Sequence, residues 1–178
     1  MTDTIIVRPA QVKDAPGIAR VHVLTWQSAY AGIVDATHLA NLSVEQRTER
    51  WRGFLAAEGE QFVSVAETSA HEITGFAAGC PNVDPEDVAY AGELWAIYLL
   101  PGFQRQGLGR RLVQGVVQAL RDHHMNSLII WALAENPGRR FYEALGGVTV
   151  RTRDCTIGEQ TLSEVAYGWL NTDSLAVL

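Results

Sequence analysis

Apolar residues in this chain occur in short runs typical of β-strands, and stretches with helical spacing separate those runs. Pro101 marks the end of the fourth run, because proline cannot donate a ladder hydrogen bond. The second and third runs are separated only by the polar segment SAHE, so they are predicted to pair as a hairpin. The predicted strands are TIIVRPA, QFVSVAET, ITGFAAGC, ELWAIYLL, SLIIWAL, VTVRTRDC and LSEVAYGWL.

Two helices are predicted before most of the strands. The first begins near Asp14, taken as its cap, has Pro16 in its first turn and runs toward Tyr30. The second begins at Ser43, which together with Gln46 has the pattern of a capping box. Helical residues therefore precede most of the sheet.

Two more helices follow the fourth strand. In the first, from Gly107 to His123, apolar residues recur every four positions at Leu108, Leu112, Val116 and Leu120. The other is short, lies in NPGRRFYEALGG and ends at its two glycines. The order βααβββαβαββ predicts an α/β fold in which a mixed sheet of about seven strands is covered by helices on both faces.

Length and composition predict one domain over residues 1–178. The 178 residues are 47% hydrophobic, and no change in composition suggests a linker. No apolar run approaches the roughly 18 residues that a membrane span needs, and the N-terminus lacks the layout of a secretory signal. We therefore expect a cytoplasmic protein that does not contact a membrane.

The net charge and the cysteine pattern argue against two further kinds of function, nucleic-acid binding and metal binding. A net charge of −6 argues against general nucleic-acid binding, which needs clustered basic residues across a face. Cys80 and Cys155 form no CxxC pair and have no histidine nearby, so no metal site is predicted. Positive charge is instead collected at one turn, around Arg105.

That turn, within LLPGFQRQGLGRRL, has the features of an anion site. Gly107 and Gly109 let a ligand approach the backbone, and the first N–H groups of a helix have no partner inside it. The helix dipole favours a phosphate or pyrophosphate there, as do the side chains of Arg105, Arg110 and Arg111. Two glycines alone are equally typical of an ordinary strand-to-helix turn.

Two familiar phosphate motifs do not match the turn. A Walker loop needs lysine and then serine or threonine after its last glycine, where this chain has Arg110 and Arg111. A dinucleotide-binding turn needs a third glycine at the position of Leu112.

Two motifs in order resemble the GNAT superfamily of acyl-CoA N-acyltransferases. The segment from Gln104 to Gly109 matches the family pattern Q/R-x-x-G-x-G/A, and NPGRRFYEALGG resembles its later Asn…Phe-Tyr-Glu-x-Leu-Gly signature. The element order fits from residue 4 to about 169. The chain departs from the family where phenylalanine usually follows the last glycine, since it has Gly147 and Val148 there, a difference expected to alter packing more than chemistry.

The resemblance implies a mostly antiparallel sheet that splays between strands four and five to admit acetyl-CoA. The pyrophosphate is expected on the turn, the pantetheine arm along strand four and the acetyl carbonyl on the N–H of Leu99. Residues expected to bind the cofactor are Ile97, Tyr98, Leu99, Gln104, Arg105, Gln106, Gly107, Leu108, Gly109, Arg110, Asn136 and Arg139.

Two side chains are candidates for acid–base chemistry. Strand alternation predicts that Glu93, Trp95, Ile97 and Leu99 share one face, unless a bulge intervenes, which would make Glu93 the general base through a water. The alternative is a strand-edge glutamate that faces solvent or pairs with an arginine. Tyr142 matches the family's tyrosine near the cofactor sulfur and is the candidate acid, although it could merely pack.

The acceptor is predicted to be a small-molecule primary amine, attacked directly in a ternary complex. Trp26, Tyr30 and Trp95 are candidates to line its pocket, although aromatic pairs at helical spacing are more often core. The acidic loop residues Asp84, Glu86 and Asp87 are interpreted as solvated. A peptide or protein acceptor and a noncatalytic CoA-binding sensor remain alternatives, and the resemblance also allows a homodimer.

Overall fold

The computed structural model describes residues 4–176, so the predicted domain limits at residues 1 and 178 lie outside it. The strands are β1 (Ile6–Pro9), β2 (Phe62–Glu67), β3 (Ile73–Pro81), β4 (Gly92–Leu99), β5 (Leu128–Leu133), β6 (Val148–Ile157) and β7 (Gln160–Trp169). The helices are α1 (Ala15–Ala29), α2 (Ala36–Ala40), α3 (Val44–Ala56), α4 (Leu108–Asp122), α5 (Arg139–Ala144) and α6 (Asp173–Ala176). Short 3₁₀ turns at Val12–Asp14 and Pro101–Phe103 precede α1 and α4.

The seven strands form one mixed sheet in the order β1-β2-β3-β4-β5-β7-β6. Neighbouring strands are antiparallel except β4 and β5, which are parallel. The β4–β5 ladder pairs only Gly92 with Leu128 and Glu93 with Ile129. Beyond this short ladder the strands separate, which confirms the predicted fold class and the splay between strands four and five.

Helices cover both faces of the sheet, as predicted. On one face, Leu112, Val116 and Leu120 of α4 are fully buried in a cluster that includes Leu94 and Leu128 of the sheet. On the opposite face, α1 and α3 bury a second cluster, which includes Ile18, Trp51, Val65 and Phe76. The apolar period of four in α4 thus identified the buried face of that helix correctly.

A β-bulge at Trp95 changes which side chains of β4 share a face. Ala78 of β3 pairs with Ala96 and Gly79 pairs with Leu94, so Trp95 is one residue too many for the ladder. Trp95 and Ala96 both pack with the α1/α3 cluster, whereas Leu94 and Ile97 pack with the α4 cluster. The prediction of one common face was therefore wrong, because the bulge places Glu93 and Trp95 on the face opposite Ile97 and Leu99.

The N-terminal helices begin where the sequence predicts, with one difference in capping. The Ser43 hydroxyl accepts a hydrogen bond from the N–H of Gln46 at 3.2 Å, as expected for a cap. Asp14 does not cap α1, because its carboxylate is bound bidentately by Arg8 at 2.7 and 2.9 Å. Helix α2 was not predicted, since its five residues are too few to show a helical period.

In the family that this chain resembles, phenylalanine usually follows the last glycine of the second motif, whereas this chain has Gly147 and Val148 there. A Cβ at this position would lie 2.6 Å from the ring of Trp169, whose indole N–H donates to the carbonyl of Leu145 at 3.0 Å. The tryptophan of β7 therefore occupies the space above this turn.

Over residues 4–176, no helix is both long and apolar enough to cross a membrane. In the same part of the chain, no group of three or more His, Cys, Asp or Glu side chains is arranged to hold a metal ion.

Candidate active site

A cleft of about 490 Å³ lies between β4 and β5, beyond their short ladder. Most of the residues expected at a cofactor line it: Ile97, Tyr98, Leu99, Gln104, Arg105, Gly107, Gly109, Arg110 and Asn136. The side chains of three others have different surroundings. Gln106 donates to the Gly102 carbonyl at 3.1 Å, Leu108 is buried under the sheet, and Arg139 donates to the Tyr167 hydroxyl at 2.8 Å and to the Ala134 carbonyl.

The turn before α4 forms one end of the cleft. Arg105 and Gly107 have φ angles of 59° and 78°, in the left-handed region that favours glycine. The first bond within α4 runs from the N–H of Arg111 to the carbonyl of Gly107 at 3.2 Å. The N–H groups of residues 108–110 precede that bond and have no helical partner, so this turn fits a phosphate or pyrophosphate.

The arginines near the turn divide into two groups. Arg105 and Arg110 are exposed and line the cleft, where they add full positive charges to the helix dipole. Arg111 instead extends toward the edge strand β1 and donates to the carbonyl of Ile5, just before that strand, at 3.1 Å. The expected cluster of three arginines at the anion site is therefore reduced to two.

The edge of β4 presents backbone polar groups to the cleft. The N–H of Leu100 donates to the carbonyl of Thr74 in β3 at 2.9 Å, and Leu99 is opposite Gly75. In an antiparallel ladder the neighbouring residue points its N–H to the other side, so Leu99 directs its N–H away from β3 and into the cleft. Consistently, the Leu99 carbonyl accepts a hydrogen bond from the Gln104 side chain at 2.9 Å.

Tyr142 of α5 lies on the wall of the cleft across from β4. Its side chain is 8% exposed, and its ring packs edge-on against Phe141. Burial, together with the neighbouring Tyr30 and Tyr167, raises the pKa of its phenol well above the ordinary value. The hydroxyl is therefore in its protonated form at neutral pH and can donate a hydrogen bond.

Asn136 lies between α5 and the α1 side of the cleft. Its side-chain carbonyl accepts from the N–H of Gly138 at 2.8 Å, and its amide donates to the Tyr30 hydroxyl at 3.4 Å. These two bonds fix the orientation of the amide at the cleft wall.

Glu93 is half-buried on β4, on the same face as Trp95, and it is not one of the residues that line the cleft. Burial raises the pKa of its carboxyl above the ordinary value, while the positive charge of Arg153 partly opposes that effect. Asp84 and Glu164 raise the pKa further through their negative charges. A carboxyl with a raised pKa is a better proton acceptor than an exposed glutamate.

Of the three aromatic residues expected at the acceptor, two line the cleft. Tyr30 and Trp95 are on its wall, whereas Trp26 packs behind Tyr30 with ring centroids 4.9 Å apart. Trp95 stacks on Trp51 of α3, with centroids 5.5 Å apart and planes 17° apart. From α1 and its C-cap, the residues that reach the cleft are Thr25, Ala29 and Tyr30, so Tyr30 lies where it was expected and Trp26 does not.

The acidic loop before β4 is not a solvated charge run, contrary to its interpretation from sequence. Arg151 pairs with Asp84, Glu86 and Asp87 at 2.9–3.1 Å, and Asp87 is only 3% exposed. Arg153 pairs with Asp84 and Glu164, and its guanidinium lies 3.8 Å from the ring centroid of Trp131. These carboxylates form a structural ion-pair network with β6.

Sequence reasoning missed several residues at the cleft. Trp131 of β5 lines it beneath Arg151 and Arg153, and Thr25 of α1 lines it with a buried hydroxyl that has no hydrogen-bond partner among the described atoms. Alternation along β5 places Trp131 on the face opposite the residues that pack against α4, so the sequence pattern could have separated Trp131 from the core residues of that strand. No local pattern distinguishes Thr25 from other helical threonines.

The chain is similar in sequence to known proteins. Residues 88–155, from just after Asp87 of the acidic loop through most of β6, match the family model of the FR47-like proteins. The chain is 33% identical over 174 residues to the uncharacterized N-acetyltransferase YuaI of Bacillus subtilis (strain 168), with 98% of each protein covered.

Solved structures share the fold at lower identity. One is PaiA N-acetyltransferase from Thermoplasma acidophilum in complex with coenzyme A, with a TM-score of 0.67 at 18% identity over 90% of this chain and 98% of that one. Another is YncA from Salmonella typhimurium with acetyl-CoA, with a TM-score of 0.68 at 18% identity over 93% of each chain.

Proposed function

Because the chain belongs to the GNAT superfamily of N-acetyltransferases, we propose that it transfers the acetyl group of acetyl-CoA to the primary amine of a small molecule. One observation carries the proposal. The β4–β5 ladder ends after two pairs, and the cleft that follows has at one end a turn suited to an anion, a backbone N–H on its edge and a tyrosine across it.

The residues present fit the cofactor. A Cβ added at Gly107 would meet no described atom within 4 Å, so the backbone there is open to a ligand. The N–H groups of residues 108–110 would hold the pyrophosphate, with Arg105 and Arg110 beside them. Ile97 and Leu99 would flank the pantetheine arm, and Asn136 would face it from the opposite wall.

Acetyl-CoA, when bound, supplies a thioester carbonyl for attack by the amine and a thiolate as leaving group. The Leu99 N–H would donate to the carbonyl oxygen, where negative charge develops. Tyr142 would give its phenolic proton to the departing sulfur and recover it from solvent. Glu93 does not line the cleft, so it would accept the proton that the amine loses only through water, from the face of β4 that carries Trp95. The cleft lining includes no cysteine or serine among the described residues, which favours direct attack by the amine.

A small acceptor suits the surroundings of Tyr30. Tyr30 packs with Val34 and Leu39 of the segment after α1, and the β6–β7 hairpin covers that segment. Gln160 of the hairpin holds it by accepting from the N–H of Asp35 at 2.9 Å and donating to the Ile33 carbonyl at 3.1 Å. The hairpin thus fixes the wall of the cleft at Tyr30, and a fixed concave wall suits a small amine better than a folded protein.

The proposal is tested by a screen of small amines and peptides against acetyl-CoA, read as release of free thiol. Turnover of small amines, with peptides poorer, is the expected result. Turnover of peptides alone would replace the small-molecule assignment with a peptide acetyltransferase. Binding of acetyl-CoA without turnover of any acceptor would instead favour a CoA-binding sensor.

Replacing Glu93 with glutamine should lower turnover about 10- to 100-fold at pH 7 and by much less near pH 10. An alkyl amine has a pKa of about 10, so it needs a base at pH 7 but not when it is already neutral. The measurement is the pH profile of kcat for Glu93→Gln and wild type, with Glu159→Gln on the exposed β6–β7 turn as control. Parallel profiles would show that Glu93 is not the base.

This substitution should not lower thermal stability. The pKa of Glu93 is higher in the folded protein than its ordinary value of 4.5, so at neutral pH the ionised carboxylate disfavours folding. The glutamine variant removes that cost above pH 4.5, and its melting temperature should equal or exceed that of wild type. A loss of activity can therefore be attributed to chemistry.

A further inference from the structure

Two half-buried tryptophans flank the place where the cleft opens between β4 and β5. Glu93 and Ile129 form the last pair of the β4–β5 ladder, and Trp95 and Trp131 are each two residues beyond that pair. Trp95 packs with the α1/α3 cluster, and Trp131 alternates with residues of the α4 cluster, so both indoles are on the sheet face opposite α4. Both line the cleft, at about the same level on its two sides.

Each of the two indoles is held in place by its neighbours. Trp95 stacks on Trp51, with ring centroids 5.5 Å apart and planes 17° apart. The guanidinium carbons of Arg153 and Arg151 lie 3.8 Å and 4.8 Å from the ring centroid of Trp131. Rings that are fixed before a ligand arrives lose little freedom on binding, so the two indoles are preorganised for a flat apolar group.

The cleft lining around the two indoles is uncharged. Among residues 4–176, the charged side chains that line the cleft are those of Arg105 and Arg110, and both belong to the turn before α4. From the sheet face that carries Trp95, α1 and its C-cap contribute only Thr25, Ala29 and Tyr30. An additional charge on the acceptor would lose water here without gaining a partner, which is costly. The lining therefore favours an acceptor whose only charged group is the reacting amine.

The ionised groups behind Trp131 also disfavour an acceptor with several cations. Asp87 and Glu164 are held by Arg151 and Arg153 at 2.6–2.9 Å, so these carboxylates already have partners. The two guanidiniums beside the Trp131 ring would repel a further cation placed on that ring. An uncharged aromatic ring meets no such repulsion.

We propose that the acceptor is an arylalkylamine, whose uncharged aromatic ring binds against Trp95 and Trp131 while its primary amine extends along the cleft toward Leu99. An aromatic ring buries apolar area against the indoles and gains ring–ring contacts that a saturated group of equal size lacks. Four strand residues span about 13 Å, so a linker must separate the ring from the amine. The inference rests on the proposed function and specifies its substrate class.

The test measures kcat/KM with acetyl-CoA for 2-phenylethylamine, 3-phenylpropylamine and tryptamine, beside spermidine, glucosamine and L-alanine. The best arylalkylamine should exceed each of the last three by about tenfold or more. The saturated analogue 2-cyclohexylethylamine separates aromatic from merely apolar recognition, and it should be several-fold poorer than 2-phenylethylamine.

Trp131→Leu should raise KM for the arylalkylamines about 10- to 100-fold. Its kcat/KM should fall at least about tenfold more for tryptamine than for n-propylamine, which has no ring. Trp131→Phe should recover part of the preference, because it restores an aromatic face. Trp169→Leu is the matched control, since it removes an indole of β7 that is buried and does not line the cleft. Assayed below its melting temperature, this control should keep the wild-type preference for tryptamine over n-propylamine.

A second readout is calorimetric binding of tryptamine to the CoA-bound protein, which does not depend on turnover. Trp131→Leu should weaken this binding, and Trp169→Leu should not. Calorimetric affinities for CoA itself should be similar in the two variants, because neither residue belongs to the anion-binding turn.

The outcomes separate this inference from the proposed function. Spermidine, glucosamine or L-alanine used better than every arylalkylamine would overturn the inference while acetyl transfer stands. An unchanged preference in Trp131→Leu, or equal use of 2-cyclohexylethylamine and 2-phenylethylamine, would do the same. If no amine is acetylated, the proposed function fails, and tryptamine binding that depends on Trp131 would still support the aromatic site.

Discussion

Replacing Gly107 with valine is expected to weaken acetyl-CoA binding at least about 100-fold. The residue has a φ of 78°, which a β-branched side chain adopts only with strain, and its added atoms would occupy the open space where the phosphate approaches. Each charge-assisted hydrogen bond to a phosphate contributes about 1.5–3 kcal/mol, so losing two corresponds to about 100-fold or more.

Calorimetric titration with acetyl-CoA measures this effect, and the choice of variants separates its two causes. Gly107→Asn tests bulk with less strain, because asparagine tolerates the left-handed region. Gly102→Val is the control in the same loop, since a Cβ there also meets no described atom within 4 Å and its φ is not left-handed. The turn would lose its assignment if Gly107→Val bound acetyl-CoA with wild-type affinity.

Removing the hydroxyl of Tyr142 by substitution with phenylalanine is expected to lower kcat about 100- to 10,000-fold. Acetyl-CoA affinity should change little, because the phenol acts on the leaving sulfur and not on the bound ground state. The ring stays in place against Phe141, so the fold should be retained. Single-turnover rates and calorimetric affinities for the two proteins provide the measurement.

Tyr167→Phe is the matched control for this experiment. The ring of Tyr167 lies 5.8 Å from that of Tyr142, but its hydroxyl bonds Arg139 and Glu143 and does not line the cleft. Its loss should lower stability by about 1 kcal/mol and leave kcat nearly unchanged at temperatures well below melting. Equal turnover by Tyr142→Phe and wild type would remove Tyr142 from the mechanism.

Local patterns in the sequence were sufficient to predict strand β4, helix α4 and the turn between them. The period of four from Leu108 to Leu120 identified α4 and its buried face, and Pro101 marked the end of β4. Gly107 and Gly109 identified the turn between them: Gly107 has a left-handed backbone, and a Cβ at Gly109 would lie 3.2 Å from the ring of Phe141. These features depend on neighbours in the chain, so the sequence alone predicts them.

The face of β4 on which Glu93 lies depends on the bulge at Trp95, and the alternation of side chains along a strand does not reveal a bulge. A bulge adds one residue without leaving a composition signal, and here it turns Trp95 and Ala96 toward the same cluster. The acidic loop was also misinterpreted from the sequence, because its partners are distant in the chain. Asp87 reads as solvated until Arg151, 64 residues later in the chain, is brought beside it by β6.

The sequence by itself determined the order of the elements and with it the class of fold, the glycine turn before α4 and the position of Tyr142 in a second motif, because each depends on residues close together in the chain. The tertiary structure alone decided which side chains meet across the cleft. Thr25 is an example, because its hydroxyl is buried on the cleft wall without a partner among the described atoms, and no local pattern of residues encodes that position.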